Sequence, residues 1–133
     1  MERKIKFRGQ SIMDGKWFYG DLINSDGFTT PLIRYLDDDG VEFLNEEVMG
    51  ETVGQFTGLT VQNEEIYEDD IIELFGGYKR KVVFKSGTFI AIPLLWNSDG
   101  GIDISCFILY RQKIKAIIGN IHDNPEMLNT KTE

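Results

Sequence analysis

Hydrophobic and polar residues alternate along most of the chain, and helical spacing is scarce. In KIKFRG, the apolar Ile5 and Phe7 alternate with basic residues, which is typical of a half-exposed strand because successive side chains point to opposite faces. Turn sequences containing Asp and Gly separate several such runs at short, regular intervals. This pattern predicts a mainly β protein built from a succession of short strands.

The clearest of the expected turns is Ser86-Gly87, which separates the β-branched and aromatic runs KRKVVFK and TFIAIP. It predicts a two-residue hairpin, in which glycine adopts positive φ. Pro93 is expected to end the second strand, because proline donates no N–H. Phe84, in the first strand, is expected to be buried if the hairpin belongs to a barrel. Further turns are expected at residues 14–15, 25–27 and 37–40.

Two short segments carry helix signals. Asn45 is suited to cap one helical turn over residues 46–49, where acidic side chains favour a helix N-terminus. Near the end of the chain, Asn124 precedes Pro125, a residue favoured at the first helical position. The pair predicts the start of one short helix.

The length of 133 residues fits one domain or two small lobes that share a core. We expect an N-terminal β lobe over residues 1–54 and a second lobe over residues 55–133, with no flexible linker between them. The single cysteine, Cys106, is expected to be a small buried residue. The N-terminus lacks the apolar core of a signal peptide, and no run approaches the roughly 20 apolar residues of a membrane span. The sequence therefore predicts a cytoplasmic protein with no membrane partner.

Charge is unevenly distributed along the chain, whose net charge is −8. Residues 10–75 hold two basic residues against sixteen acidic ones, a net −14, whereas residues 76–120 hold seven basic against two acidic, a net +5. General binding to nucleic acid is disfavoured, because neutralising phosphates requires Lys and Arg. Segregated charge instead favours contacts between oppositely charged protein surfaces.

The acidic run Glu68-Asp69-Asp70 precedes a short apolar segment, residues 71–75. The segment is too short for a stable helix before the next glycines, so we predict a buried strand with Asp70 at its entry. Three consecutive acids on a strand cannot converge on one ion, because adjacent side chains point to opposite faces. We interpret the run as a polar corner and predict no metal, no cofactor and no catalytic residue. The rival hypothesis is a metal-assisted hydrolase that uses Glu68, Asp70 and the only histidine, His122.

A basic hairpin is the main candidate interaction surface. It carries Lys79, Arg80, Lys81 and Lys85, and Arg111, Lys113 and Lys115 would extend it if the two segments are neighbours. Three interpretations stay open. The cations solvate an exposed sheet face, or they bind a protein partner, or with nearby aromatic rings they hold single-stranded nucleic acid weakly.

Four blocks of the sequence resemble the YopX family of phage and prophage proteins. They are IKFRG…GKWFYGDLI, ETVGQFTGLTVQNEEIYEDDII, VVFKSGTF and IIGNIHDNPEML, which together extend from about Ile5 to Leu128. Asp69 stands where the family commonly has glycine, and Glu64 stands in a turn that is often Asn-Gly. The resemblance implies an SH3-like barrel in the C-terminal part, a smaller N-terminal β lobe and a bacterial cytoplasmic location. It supplies no activity.

By position in these blocks, seven residues are interpreted as structural rather than chemical. Thr57, Gly58 and Asp70 are expected at turn and strand-entry positions, and Gly119, Asn120, Asn124 and Pro125 at the closing turn and helix start. We therefore predict a non-enzymatic protein-interaction or self-assembly module. Its partner would be an unknown host or phage protein or another copy of the chain. The remaining alternative is a decoy whose acidic lobe mimics DNA phosphates.

Overall fold

The protein is described by a computed structural model that covers residues 3–24, 30–94 and 107–129. Ten β-strands and three short 3₁₀ helices lie in these residues, with no α-helix, so the prediction of a mainly β protein is confirmed. The strands are β1 Phe7–Gln10, β2 Trp17–Ile23, β3 Leu32–Leu36, β4 Phe43–Glu47, β5 Gly54–Val61, β6 Glu64–Tyr67, β7 Asp70–Leu74, β8 Lys79–Lys85, β9 Thr88–Pro93 and β10 Ile114–Asn120. The 3₁₀ helices are Gly50–Thr52, Arg111–Lys113 and Pro125–Asn129.

The strands form two antiparallel sheets. The first has the order β4-β3-β2-β1-β5-β6, and the second has the order β10-β7-β8-β9. Within the described residues neither sheet closes on itself, so the SH3-like barrel implied by the family resemblance is not established. The chain divides into two compact units, Met1–Gly58 and Leu59–Glu133. The domain limits expected from the sequence, 1–54 and 55–133, stay a prediction.

Local turn chemistry accounts for most strand connections. Ser86 and Gly87 have φ of 53° and 81°, and Lys85 pairs directly with Thr88, so the two-residue hairpin is confirmed. Gln62 and Asn63, between β5 and β6, also have positive φ. Short-range turns of this type are favoured because their twist matches that of the flanking strands. The turn expected at residues 25–27 and the burial expected of Cys106 lie outside the described residues.

In the first unit, close contact between strands depends on a glycine in β2. A Cβ atom on Gly20 would lie 2.0 Å from the carbonyl oxygen of Arg34 in β3. Ile33 and Val48 are fully buried in this unit. The helical turn expected after Asn45 is wrong, because residues 43–47 form strand β4 along β3. Cross-strand hydrogen bonds outcompete the weak helix signal of a four-residue segment.

The core of the second unit draws one buried residue from the end of β5 and one from each of β6 to β10. These residues are Val61, Ile66, Ile72, Val82, Ala91 and Ile114. Burying an aliphatic side chain of this size stabilises the fold by about 1.5–3 kcal/mol. The expected buried strand after the acidic run is confirmed, since Ile71 and Ile72 are fully buried in β7.

One burial prediction is wrong. Phe84 lies in β8, but 51% of its surface is exposed, and its ring contacts Phe89 edge-on at a centroid distance of 4.9 Å. Both residues lie beside the hairpin turn, at the end of the β8–β9 ladder. Pro93 ends β9, as expected from its missing N–H.

Candidate functional site

Asp70 is a buried structural carboxylate. It is the first residue of β7, only 2% of its surface is exposed, and its Oδ2 accepts a hydrogen bond of 2.7 Å from the N–H of Tyr67. Tyr67 is itself 2% exposed. A buried N–H needs an acceptor, and the carboxylate supplies one across the turn that joins β6 to β7. Asp70 thus closes the polar corner by bonding to the backbone.

Asp69 and His122 join this corner to the end of β10. Nε2 of His122 lies 3.0 Å from Oδ2 of Asp69, and both side chains are largely shielded from solvent. Asp69 has a φ of +75°, a left-handed conformation that Asp adopts more readily than most residues. Its backbone carbonyl also accepts a hydrogen bond from the N–H of Ile121. The contact with the histidine adds a side-chain bond to a corner already held by its backbone.

The closing turn after β10 is held by two asparagines. Oδ1 of Asn120 accepts from the N–H groups of His122 and Asp123, and Nδ2 of Asn120 donates to the Asp123 carboxylate. Oδ1 of Asn124 accepts from the N–H of Asn120, so this side chain folds back on the turn. A Cβ atom on Gly119 would lie 2.5 Å from that same oxygen. Glycine is required here by close approach.

The geometry of the corner does not assemble the residues of the rival hydrolase. His122 contacts Asp69, while Asp70 is directed at the Tyr67 backbone. Among the residues that the structure describes, no group of three or more His, Cys, Asp or Glu side chains could hold a metal ion. The corner joins β6, β7 and β10, and its chemistry is that of a structural hydrogen-bond network.

Thr57 and Gly58 do not form the turn expected of them. Both lie inside β5, where Gly58 has a φ of +90° and open space around its Cβ position. Glycine with positive φ inside a strand is typical of a bulge or a bend. The division between the two compact units falls directly after Gly58.

The four basic residues of the hairpin are divided between two faces of the sheet. All four lie in β8, and alternate residues of a strand point in opposite directions. Lys79, Lys81 and Lys85 therefore share one face, whereas Arg80 lies on the face of the buried Val82. Arg80 places its guanidinium 5.3 Å from the ring of Tyr78 and donates from Nη1 to the carbonyl of Lys79.

A cavity of about 110 Å³ opens on the Arg80 face of the second unit. Its apolar lining comes from Leu74, Ala91 and residues 107–110. Arg80 and Lys113 bring positive charge to it, and Nζ of Lys113 lies 5.2 Å from the ring centroid of Tyr110. We call this the cationic cavity. Ligand sites also combine apolar walls with a few charged groups, but they measure roughly 300–1,000 Å³, so a cavity of this size suits a single side chain of a partner.

The first unit carries an exposed surface of opposite charge, at the end of the β3–β4 hairpin. This hairpin tip, residues 36–43, contains four acidic residues and no basic one. Leu36 pairs with Phe43 across the strands, and they are 49% and 56% exposed, while Val41 in the turn is 76% exposed. The guanidinium of Arg34 covers part of Phe43, 4.7 Å from its ring centroid.

Neither surface was identified in full from the sequence. The sequence assigns Lys113 and Arg80 to one basic patch, but the apolar cavity that they line depends on residues 107–110, which are distant along the chain from β8. The tip did carry a signal, since apolar Leu36, Val41 and Phe43 surround a run of three aspartates. Large apolar residues in an otherwise polar turn favour an interaction surface.

Comparison with known proteins identifies a family for this chain. No curated protein matches the chain. Within the described ranges, no helix is long and apolar enough to cross a membrane. The family model described as YopX protein matches residues 6–129, which cover most of both units and all of the polar corner and the closing turn. A match over nearly the whole sequence shows that the chain belongs to the YopX family.

Proposed function

We propose that this YopX family member is a non-enzymatic protein-interaction module that associates with other copies of itself. The supporting observation is that two surfaces each combine apolar side chains with charged ones. The charge is negative on one surface and positive on the other. The hairpin tip combines Val41 and Phe43 with acidic residues, and the cationic cavity combines apolar walls with Arg80 and Lys113. Complementary potentials of this kind orient and accelerate association. From the resemblance to the YopX family, we further propose a phage or prophage origin and a bacterial cytoplasmic location for this module.

The polar corner does not favour an enzyme. The carboxylates of the corner and the asparagines of the adjoining closing turn bond backbone N–H groups or each other. His122 bonds Asp69. A general base must reach a substrate proton, and a nucleophile must lie within hydrogen-bond distance of its base. The corner shows turn-building bonds in place of such an arrangement.

The distribution of acids disfavours the DNA-mimic alternative. A mimic of phosphates needs carboxylates spaced along one face, whereas four of the sixteen acids of residues 10–75, Asp37, Asp38, Asp39 and Glu42, are clustered at the end of one hairpin. Single-stranded nucleic acid is disfavoured as a ligand because the four cations of β8 do not share one groove. A protein partner fits these surfaces better.

For the second unit, we propose an SH3-like barrel in which the end of β5 and β6 complete the sheet of β10, β7, β8 and β9. The shared core of Val61, Ile66 and Ile114 with residues of β7–β9 supports this arrangement. The guanidinium of Arg111 bonds the carbonyl of Thr60, and Nε2 of the Gln62 amide donates to the carbonyl of Lys115 at 3.2 Å. These bonds bring the end of β5 next to β10.

Light scattering tests the proposed self-association. The purified protein is measured over a series of concentrations, at low and at high ionic strength. We expect a mass above that of one chain, rising with concentration and falling with added salt, because exposed charge pairs are screened within about 10 Å at 0.1 M salt. A single-chain mass at every concentration and salt would refute the proposal.

A further inference from the structure

We propose that the cationic cavity of one copy receives the hairpin tip of a second copy. This inference rests on the proposed self-association and names the two surfaces that carry it. The occupant is a segment of the chain itself, with Val41 entering the cavity and the aspartates beside it facing Arg80 and Lys113. The contact is head to tail, because the tip belongs to the first unit and the cavity to the second.

The size and lining of the cavity suit one aliphatic side chain. Its volume is about 110 Å³, somewhat smaller than the ~150 Å³ apolar cavities that accept benzene. The base of the cavity is rigid, because it includes Ala91, which is 6% exposed and packed in the core of the unit. An apolar side chain that displaces water from such a site contributes to binding through burial of both surfaces.

The hairpin tip presents a side chain of this type in a preorganised loop. Val41 is 76% exposed, although its N–H is bonded to Oδ1 of Asp37 at 3.0 Å. Asp37 also accepts from the N–H of Gly40 and donates its own N–H to Glu42, so the turn is held from both sides. A loop already in its binding conformation loses less conformational entropy on association.

Charge selects this occupant over the other exposed apolar residues. The tip has four acids and no base, and Arg80 and Lys113 lie at the cavity. Asp38 and Asp39 are exposed beside Val41 and are not the aspartate that holds the turn. Since each copy has one tip and one cavity, contacts of this kind extend into a chain, or close into a ring if the rotation allows.

A mixing experiment tests the assignment. The tip variant carries Asp38→Lys and Asp39→Lys, and the cavity variant carries Arg80→Glu and Lys113→Glu. Lys79→Glu with Lys81→Glu is the matched control, since it makes the same change in charge on the opposite face of β8. Lys113→Glu alone serves as a second cavity variant, because Lys113 is exposed whereas Arg80 is half-buried. Far-UV circular dichroism checks that each variant is folded.

We expect the tip and cavity variants each to associate at least about tenfold more weakly than the unmodified chain, since like charges in contact cost several kcal/mol. The mixture should associate again, because the intact tip of the cavity variant meets the intact cavity of the tip variant. The matched control should associate as the unmodified chain does.

Four results would overturn the assignment or the proposed function on which it rests. Unchanged association of both variants, or equal loss in the matched control, would place the interface elsewhere while leaving self-association intact. Two weakened variants that do not complement each other would show that tip and cavity are not mutual partners. A monomeric unmodified chain would instead refute the proposed function itself.

Discussion

His122 and Asp69 are in contact across 53 residues of sequence, with Nε2 of the histidine 3.0 Å from Oδ2 of the aspartate. The contact joins the turn before β7 to the turn after β10, strands that pair directly, with Asn120 opposite Asp70. Asp69 holds this position with a φ of +75°. Two effects therefore oppose each other at residue 69: the left-handed backbone favours glycine, and the histidine contact favours a carboxylate.

Substitutions of Asp69 separate these effects. Asp69→Ala should lower the free energy of unfolding by about 2 kcal/mol, because it loses the hydrogen bond and places alanine at positive φ. Asp69→Asn retains an acceptor and tolerates the backbone conformation, so it should change stability by less than about 0.5 kcal/mol. Asp69→Gly loses the hydrogen bond but relieves the strain of the positive φ, so the free energy of unfolding should change by close to zero. Urea unfolding measures all three.

A double-mutant cycle isolates the His122–Asp69 contact. Asp69→Ala and His122→Ala, alone and combined, should give a coupling energy of about 0.5–1.5 kcal/mol, as residues in hydrogen-bond contact do. Strictly additive effects would show that the contact contributes nothing to stability.

Asp70→Ala should lower the free energy of unfolding by about 2 kcal/mol, because it leaves the buried N–H of Tyr67 without its carboxylate acceptor. The matched control is Asp70→Asn, which keeps an oxygen at this position and should cost less. Thermal and urea unfolding would compare them. Equal losses in the two variants would mean that the negative charge, and not the acceptor, is what the corner requires.

Gly119→Ala should destabilise the closing turn by about 1–3 kcal/mol, the usual cost of overpacking, because its Cβ would meet Oδ1 of Asn124 at 2.5 Å. Displacing that oxygen also breaks its bond to the N–H of Asn120. In the background of Asn124→Ala the clash with Oδ1 is removed while the backbone strain at a φ of +159° remains, so the same glycine substitution should cost less. If the cost at Gly119 does not depend on residue 124, the steric explanation fails.

Phe84→Ala should cost only about 0.5–1.5 kcal/mol, the value of an exposed edge-on aromatic pair with Phe89. Ile72→Ala, in the core of the same unit, should cost about 2–5 kcal/mol. Denaturant unfolding of both variants checks the ranking. A larger loss at Phe84 would show that its ring is more buried in solution than its 51% exposure indicates.

The sequence predicted those features that depend on a few neighbouring residues. Ser86-Gly87 required positive φ, and the paired isoleucines of β7 required burial, so the hairpin and the buried strand were predictable. The helical turn after Asn45 failed because pairing with β3 is a long-range interaction that local propensity does not contain. The cationic cavity depends equally on long-range placement, since Arg80 and Lys113 meet only through the fold.

Hydrogen–deuterium exchange of the unmodified chain at two protein concentrations tests the central claim most directly. One concentration favours the single chain and the other favours association, as established by light scattering. We predict that association slows exchange in peptides that cover residues 37–43 and 107–113, because the hairpin tip and the cationic cavity form the contact. Exchange at residues 67–70 and 119–124 should be unchanged, because the polar corner and the closing turn are structural. Protection confined to the polar corner, or no difference between the two concentrations, would contradict the account.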